Sequence, residues 1–279
     1  MNIGIRLHDT EAGTLAQRLS YAKAQGFSCA HVALSKCLDD FSMAEAPRLL
    51  NDGLAGQVRS DFAAAGMDFA VLGCYLQLAQ RDGEARARTQ EIYRAHLRFA
   101  AKAGARVVGT ETPAGAERFD RPASESEEAF RLFIECARPV VACAEETGAI
   151  LAVEPVVDHI VSTPERAERM LEALRSDHVE IILDAVNLLA SAELERAQDI
   201  IDESIRRFGD RVRILHMKDY LPDPGAFRPR SLACGLGVMD YRRLLAFARA
   251  KDVPMTLEDT VPANAEAARL HLERVAAEM

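Results

Sequence analysis

The chain is predicted to fold as an α/β protein, a single (β/α)8 TIM barrel domain spanning residues 1–279, and three observations predict it. Short apolar runs alternate with longer stretches of helical period from one end to the other, the signature of β/α units. Glycines stand where the helical stretches stop, as left-handed C-terminal caps require. No Gly/Ser-rich linker divides the chain, and barrels of this kind run to about 250 residues as one domain.

The first apolar run is Ile3 to Leu7, with a helix from about Glu11 to Gln25 that stops at Gly26. Ala30 to Leu34 is the second, with a helix over Pro47 to Ala65 and Gly66 at its end. The third run is Phe69 to Tyr75, then a helix from Glu84 to Ala103 closed by Gly104. The fourth is Val107 to Thr112, then Ser124 to Thr147 closed by Gly148. Ile150 to Val153 is the fifth strand, and Ser162-Thr163-Pro164 opens its helix with a capping hydroxyl and Pro at the first helical position. Ile181 to Leu183 is the sixth, paired with a helix from Leu194 to Phe208 that Gly209 should cap. Val212 to Leu215 is the seventh; after a long loop, Asp240 is placed to cap a helix reaching Ala250. Met255 to Leu257 and a helix from Ala263 to Ala277 complete the set. An open doubly wound sheet is the alternative, but Leu7-His8-Asp9-Thr10 comes after the first strand where a Gly-rich phosphate turn would stand.

Composition narrows the function. The chain is 49% hydrophobic with no Trp, so its core is built of Ala, Leu, Val and Ile, which suits helices packed on a parallel sheet. A net charge of −9 argues against a nucleic-acid partner, because phosphate binding needs clustered Lys and Arg. No apolar run approaches the ~20 residues of a membrane span. Met1-Asn2-Ile3-Gly4-Ile5 does not read as a signal peptide. The six cysteines form no C-x-x-C pair, and reduced thiols in a cytoplasmic protein are expected. A homo-oligomer is compatible with all of this.

The informative feature is the residue that ends each of the last four runs: Glu154 after the fifth, Asp184 after the sixth, His216 after the seventh and Glu258 after the eighth. One charged residue at a strand end is commonplace. Four metal-competent residues in step on consecutive strands, at the face where such barrels keep their active sites, predict a shared cation. Three buried carboxylates without a cation would repel and resist ionisation. Three carboxylates and one imidazole form an oxygen-rich set that suits one divalent ion, Mn²⁺ first and Mg²⁺ or Co²⁺ next, better than structural zinc.

Ala152-Val153-Glu154-Pro155, Ile182-Leu183-Asp184-Ala185-Val186-Asn187, Leu215-His216-Met217-Lys218-Asp219, Gly235-Leu236-Gly237-Val238-Met239-Asp240-Tyr241 and Leu257-Glu258-Asp259 together carry a resemblance. The sequence resembles the sugar phosphate isomerase/epimerase family, the xylose-isomerase-like barrels, over nearly its whole length. That family includes ketose 3-epimerases, inosose isomerases and dehydratases, hydroxypyruvate isomerases and metal-dependent abasic-site endonucleases. The resemblance implies that Glu154, Asp184, His216 and Glu258 are the metal ligands, and that Glu154 and Glu258 also form the acid/base pair of the epimerases. It departs from the epimerase pattern at Asn187, where several ketose epimerases carry a His, and after His216, where Pro222 and Pro224 precede Arg228 and Arg230.

Further substrate-binding candidates are His159, Asn187, Lys218 and Arg228. Lys218 lies two residues beyond His216 and so on the same face, where it could balance the carboxylates or hold a substrate oxygen. His159 lies in the loop after the fifth strand, where it could donate to a hydroxyl. Arg228 could fold back over the substrate or stand in solvent. Arg6, His8, Ser35 and Glu111 lie near the ends of early strands as specificity candidates. His31 reads as a core histidine, and His96, His178 and His271 as non-catalytic. Gly235-x-Gly237 is too short for a dinucleotide loop and suggests flexible closure.

The expected activity is metal-dependent isomerisation or epimerisation of a sugar or cyclitol by proton transfer through an enediolate. The alternative shares the opening step and ends in β-elimination: a dehydratase, or a lyase acting on a keto-sugar, keto-glycoside or inosose. An abasic-site endonuclease conflicts with the charge and with one His in the set. A non-catalytic sugar-binding subunit conflicts with an intact ligand set.

Overall fold

The computed structural model describes residues 1–114 and 121–279, and in it eight parallel strands close into a barrel. In chain order they are β1 (Ile3–Arg6), β2 (Cys29–Val32), β3 (Asp68–Gly73), β4 (Val107–Thr110), β5 (Ile150–Val153), β6 (Val179–Asp184) and β7 (Val212–Met217). A small hairpin of β8 (Asp219–Leu221) and β9 (Arg230–Leu232) intervenes before β10 (Met255–Leu257). The ring runs β1-β10-β7-β6-β5-β4-β3-β2, so the predicted (β/α)8 barrel is the fold. Most strand residues are buried, because the lumen covers one face and helices cover the other.

Helix starts reflect local chemistry. Thr14 and Gln17 form a capping box ahead of Leu15–Ala24, and Asn51, Asp82, Ser126 and Thr163 each accept a first-turn backbone N–H. Pro164 occupies the first turn as predicted. Gly26, Gly66, Gly104 and Gly148 come after their helices with positive φ. Gly209 does not: its φ of −55° is right-handed, and the chain winds on into a 3-10 turn over Gly209–Arg211. A Cβ there would stand 3.3 Å from Phe247, so close packing accounts for this glycine better than a cap does.

Three other expectations change. The helix foreseen over 47–65 is broken, with Ala46–Leu49 ending before Asn51 caps a second helix at Asp52–Ala65. The long loop after β7 contains the hairpin, whose three-residue strands are too short to show a period. The helix assigned to Asp240 begins at Arg242, and the Asp240 carboxylate accepts the Arg242 N–H at 3.1 Å. Asp184 and His216 lie inside their strands and are register partners, and His216 also pairs with Thr256. All six cysteines are buried and unpaired. Among the described residues no helix is long and apolar enough to cross a membrane.

Candidate metal centre and its cavity

Strand register brings the four strand-end residues together. Asp184 and His216 share a face of neighbouring strands, and Glu154 and Glu258 come directly after β5 and β10. The Glu154 N–H donates to the Thr110 carbonyl at 2.8 Å and the Glu258 N–H to the Met217 carbonyl at 3.0 Å. These bonds carry the barrel ladder one residue past each strand and aim both side chains inward. One ligand atom from each of Glu154, Asp184, His216 and Glu258 lies within 4.8 Å of the others, and all four residues are buried.

The free valences of this set suit a cation. His216 Nδ1 lies 3.1 Å from both Glu154 Oε2 and Glu258 Oε1, so the imidazole sits between two carboxylates. Asp184 Oδ1 accepts the backbone N–H groups of Val186 and Asn187, whereas buried Oδ2 has no aligned donor although Lys218 Nζ stands 2.9 Å away. A buried carboxylate oxygen without a donor is costly unless something positive faces it. One imidazole and three converging carboxylates fit a small divalent ion.

Lys218 is the internal counter-charge. Its ammonium reaches Asp184 Oδ2, Glu258 Oε2 at 3.3 Å and Asn187 Oδ1 at 2.8 Å. Asn187 turns its amide the other way, donating to Glu154 Oε1 at 2.6 Å. Glu154, Asn187, Lys218 and Glu258 therefore form one buried chain of polar contacts. Of the readings open to Lys218, its contacts are those of charge balance among carboxylates, and Asn187 orients protein groups on both sides. Burial pulls the His216 imidazole down, but Glu258 and Glu154 outweigh it and raise its pKa to about 9. Burial alone would raise Glu258, yet His216, Lys218 and Arg6 hold it well below the usual carboxylate range. For Asp184 burial wins over Lys218, and its pKa is raised.

A cavity of about 360 Å³ opens beside Glu258 on the β1–β4 side of the mouth. Arg6, His8, Ser35 and Glu111 all line it. So do His31 and Tyr75, neither of which the sequence marks as a site residue. His31 is fully buried, as a core histidine would be, but it projects into the lumen. Its ring stacks on His216 at 5.2 Å between centroids, and its Nε2 meets the Tyr75 hydroxyl at 3.3 Å. Gly73 makes room for this pair, since a Cβ would fall 2.8 Å from the Tyr75 ring and 2.9 Å from His31 Nε2. Burial and the neighbouring His216 depress His31 far below its ordinary value. Burial, Lys36 and Arg6 likewise lower His8 to about 3. Both rings are neutral near pH 7. No period-2 alternation marks His31, because parallel strands are buried on both faces; only register with Arg6 reveals it.

His159 is wholly buried behind this wall, with Nδ1 3.9 Å from Glu111 Oε2 and Nε2 4.0 Å from Asp158 Oδ1. Arg228 Nε lies 3.6 Å from Asp158 Oδ2 and so ties the hairpin to the loop after β5. The Gly235-x-Gly237 segment is not free to flex as expected. Asp219 accepts the N–H groups of Tyr220, Gly235, Gly237 and Met239 at 2.8–3.0 Å. A Cβ on Gly237 would collide with the Tyr220 carbonyl.

The sequence matches the family model described as "xylose isomerase-like TIM barrel" over residues 19–275. No curated protein sequence matches it. Among solved structures it resembles the apo form of 3-keto-D-glucoside 4-epimerase YcjR from E. coli, with 18% identity, 98% of this chain and 99% of that chain covered, and a TM-score of 0.74. It resembles the probable 3-DHS dehydratase AsbF from Bacillus anthracis at 11% identity, 98% and 98% coverage and a TM-score of 0.73. It also resembles the IOLI protein with a binding zinc atom at 16% identity, 100% and 97% coverage and a TM-score of 0.71. At these identities the likeness is one of fold.

Proposed function

Since the chain belongs to the xylose isomerase-like TIM barrel family, we propose that it is a divalent-metal-dependent isomerase or epimerase of a sugar or cyclitol. Glu154, Asp184, His216 and Glu258 hold the ion, Mn²⁺ ahead of Mg²⁺ or Co²⁺ for an oxygen-rich set. The observation that carries the reading is the convergence of four buried ligand atoms from three carboxylates and one imidazole. The metal-bound and epimerising proteins that share the fold support it.

When bound, the ion would draw electrons from a substrate carbonyl and acidify the adjacent C–H. The chain's own groups do the rest. Glu154 follows β5 and Glu258 follows β10, the strands that flank β6 and β7 in the ring, so the two carboxylates reach His216 Nδ1 from either side of the Asp184–His216 pair. One takes the proton from one face of the substrate and the other returns a proton to the opposite face, inverting that carbon through an enediolate. Asn187 holds Glu154 through Oε1, and Lys218 and Arg6 hold Glu258 through Oε2. Each carboxylate therefore keeps one oxygen oriented toward the centre. His31, Tyr75 and Glu111 line the space where substrate hydroxyls would bind.

Elimination is the second reading. It is favoured by the neutral Tyr75 hydroxyl beside His31 in the cavity, a proton donor suited to a leaving oxygen, and by the dehydratase among the similar folds. Incubating Mn²⁺-loaded protein with ketohexoses, inososes and 3-keto-glucosides in D₂O separates the two by NMR. Deuterium uptake with an intact carbon–oxygen skeleton supports isomerisation, and loss of water or an alcohol supports elimination. No deuterium uptake from any of them removes the proton-transfer reading.

A further inference from the structure

We propose that the substrate carries an apolar group, an aromatic ring or alkyl chain joined to its sugar or cyclitol end, which lies across Met43 and Leu76 in a groove that adjoins the cavity. The proposal rests on the functional reading above for the position of the polar end. The groove, of about 480 Å³, is walled by Met43, Ala44, Pro47, Leu76, Ala85 and Ile92. Met43 and Leu76 line both spaces, so the polar cavity beside Glu258 and the apolar groove share a wall.

The two spaces differ in chemistry. His8, His31, Tyr75 and Glu111 offer the cavity hydrogen-bonding groups that match hydroxyls. Beyond Met43 the walls are mostly aliphatic, with Thr89 the one uncharged polar residue in the lining, and the charged Arg88 and Glu91 are engaged elsewhere. Arg88 pairs with Glu84 at 3.4 Å, and Glu91 pairs with Arg94 at 3.0 Å. The rim thus holds no spare charge for an ionic ligand.

The shared wall is preformed. The Leu76 N–H donates to the Tyr93 hydroxyl at 3.2 Å, and that hydroxyl donates to the Leu76 carbonyl at 2.7 Å. Tyr93 is fully buried and lies within 2.6 Å of Thr110 Oγ1 at the end of β4. A free sugar would fill the polar cavity and leave the groove wetted. A glycoside or ether with an apolar substituent would cover it and gain the burial of that surface. The groove's position directly beside the polar cavity, with Met43 and Leu76 common to both, favours this occupant over a second copy of the chain.

Protein labelled with [methyl-¹³C]methionine tests the proposal, with the Met43 signal assigned through Met43→Leu. Mg²⁺-loaded and metal-free samples are titrated with phenyl β-D-glucoside and methyl β-D-glucoside as non-reacting probes. The phenyl glycoside should shift Met43 and bind about ten-fold more tightly than the methyl glycoside. Ala44→Glu, at an exposed position in the groove, should erase that margin and leave methyl glycoside binding as it was. Equal affinities with Met43 unmoved overturn the groove as a subsite and leave the functional reading standing. A Met43 shift that is the same with and without Mg²⁺ keeps the groove and counts against the metal reading. If neither glycoside binds, or if Met43 moves with protein concentration alone because a second copy covers the groove, the proposal fails.

Discussion

The two halves of the barrel mouth differ in how tightly their charges are interlocked. From β5 round to β10 the mouth is made of buried charge: three carboxylates, an imidazole and Lys218, each held within 3.3 Å of another member. From β1 to β4 the charges of Arg6, Lys36 and Glu111 line the cavity together with Tyr75, aliphatic groups and two histidines, His31 and His8, kept unprotonated near pH 7 by burial and nearby positive groups. Buried charges are costly unless each has a partner, so the first half tolerates little change. Neutral polar and apolar surface can be exchanged at small cost, so the second half is where one member of such a fold can differ from another. The proposed function assigns chemistry to one side and selection to the other.

Glu154→Gln strikes the charged half hardest. It preserves the bond network in outline but removes a proton carrier, so turnover of the isomerised substrate should fall about 10³-fold with thermal stability near wild type. Unchanged turnover would break the assignment of chemistry to that half. Lys218→Met comes next, because it strips the counter-charge from Asp184, Glu258 and Asn187. Metal-free protein should lose about 3 kcal/mol of stability. Added Mn²⁺ should restore much of it, and calorimetric melting with and without the ion measures both. An equal loss in the two states would mean that Lys218 and the ion do not share the same carboxylates.

In the β1–β4 half, Gly73→Ala forces a methyl against Tyr75 and His31. A stability loss of about 1–3 kcal/mol is expected, with Mn²⁺ affinity by titration calorimetry little altered. A large fall in metal affinity would show that the halves are coupled through the His31–His216 stack. The smallest effect is expected from Tyr75→Phe, which removes one neutral hydroxyl. It should raise KM about five-fold and leave kcat nearly constant if isomerisation is the reaction. A collapse of kcat would instead assign the hydroxyl to proton donation in elimination.

Much of the charged half was legible from residue order. A parallel barrel presents the C-terminal ends of all its strands on one face, so Glu154, Asp184, His216 and Glu258 identify themselves by their place at the ends of apolar runs. The alternation of runs and helical stretches, with four glycine stops and the Thr163-Pro164 start read correctly, likewise determined the ring of strands, because those signals are local. Gly209 misled because a glycine required by packing against Phe247 looks like one required by φ.

What only the tertiary structure decided depends on pairs far apart in the chain. Asn187 bridges Glu154 and Lys218, His31 stacks on His216, and Asp219 locks Gly235 and Gly237. No period announces such contacts, since both faces of a barrel strand are buried and any residue in an apolar run resembles core. By itself the sequence determined the barrel and the metal-competent residues at its mouth. Strand register and loop closure decided how Lys218 balances them and which residues form the cavity. Barrel closure sets β1 beside β10, residues from the two ends of the chain whose nearness no local signal encodes.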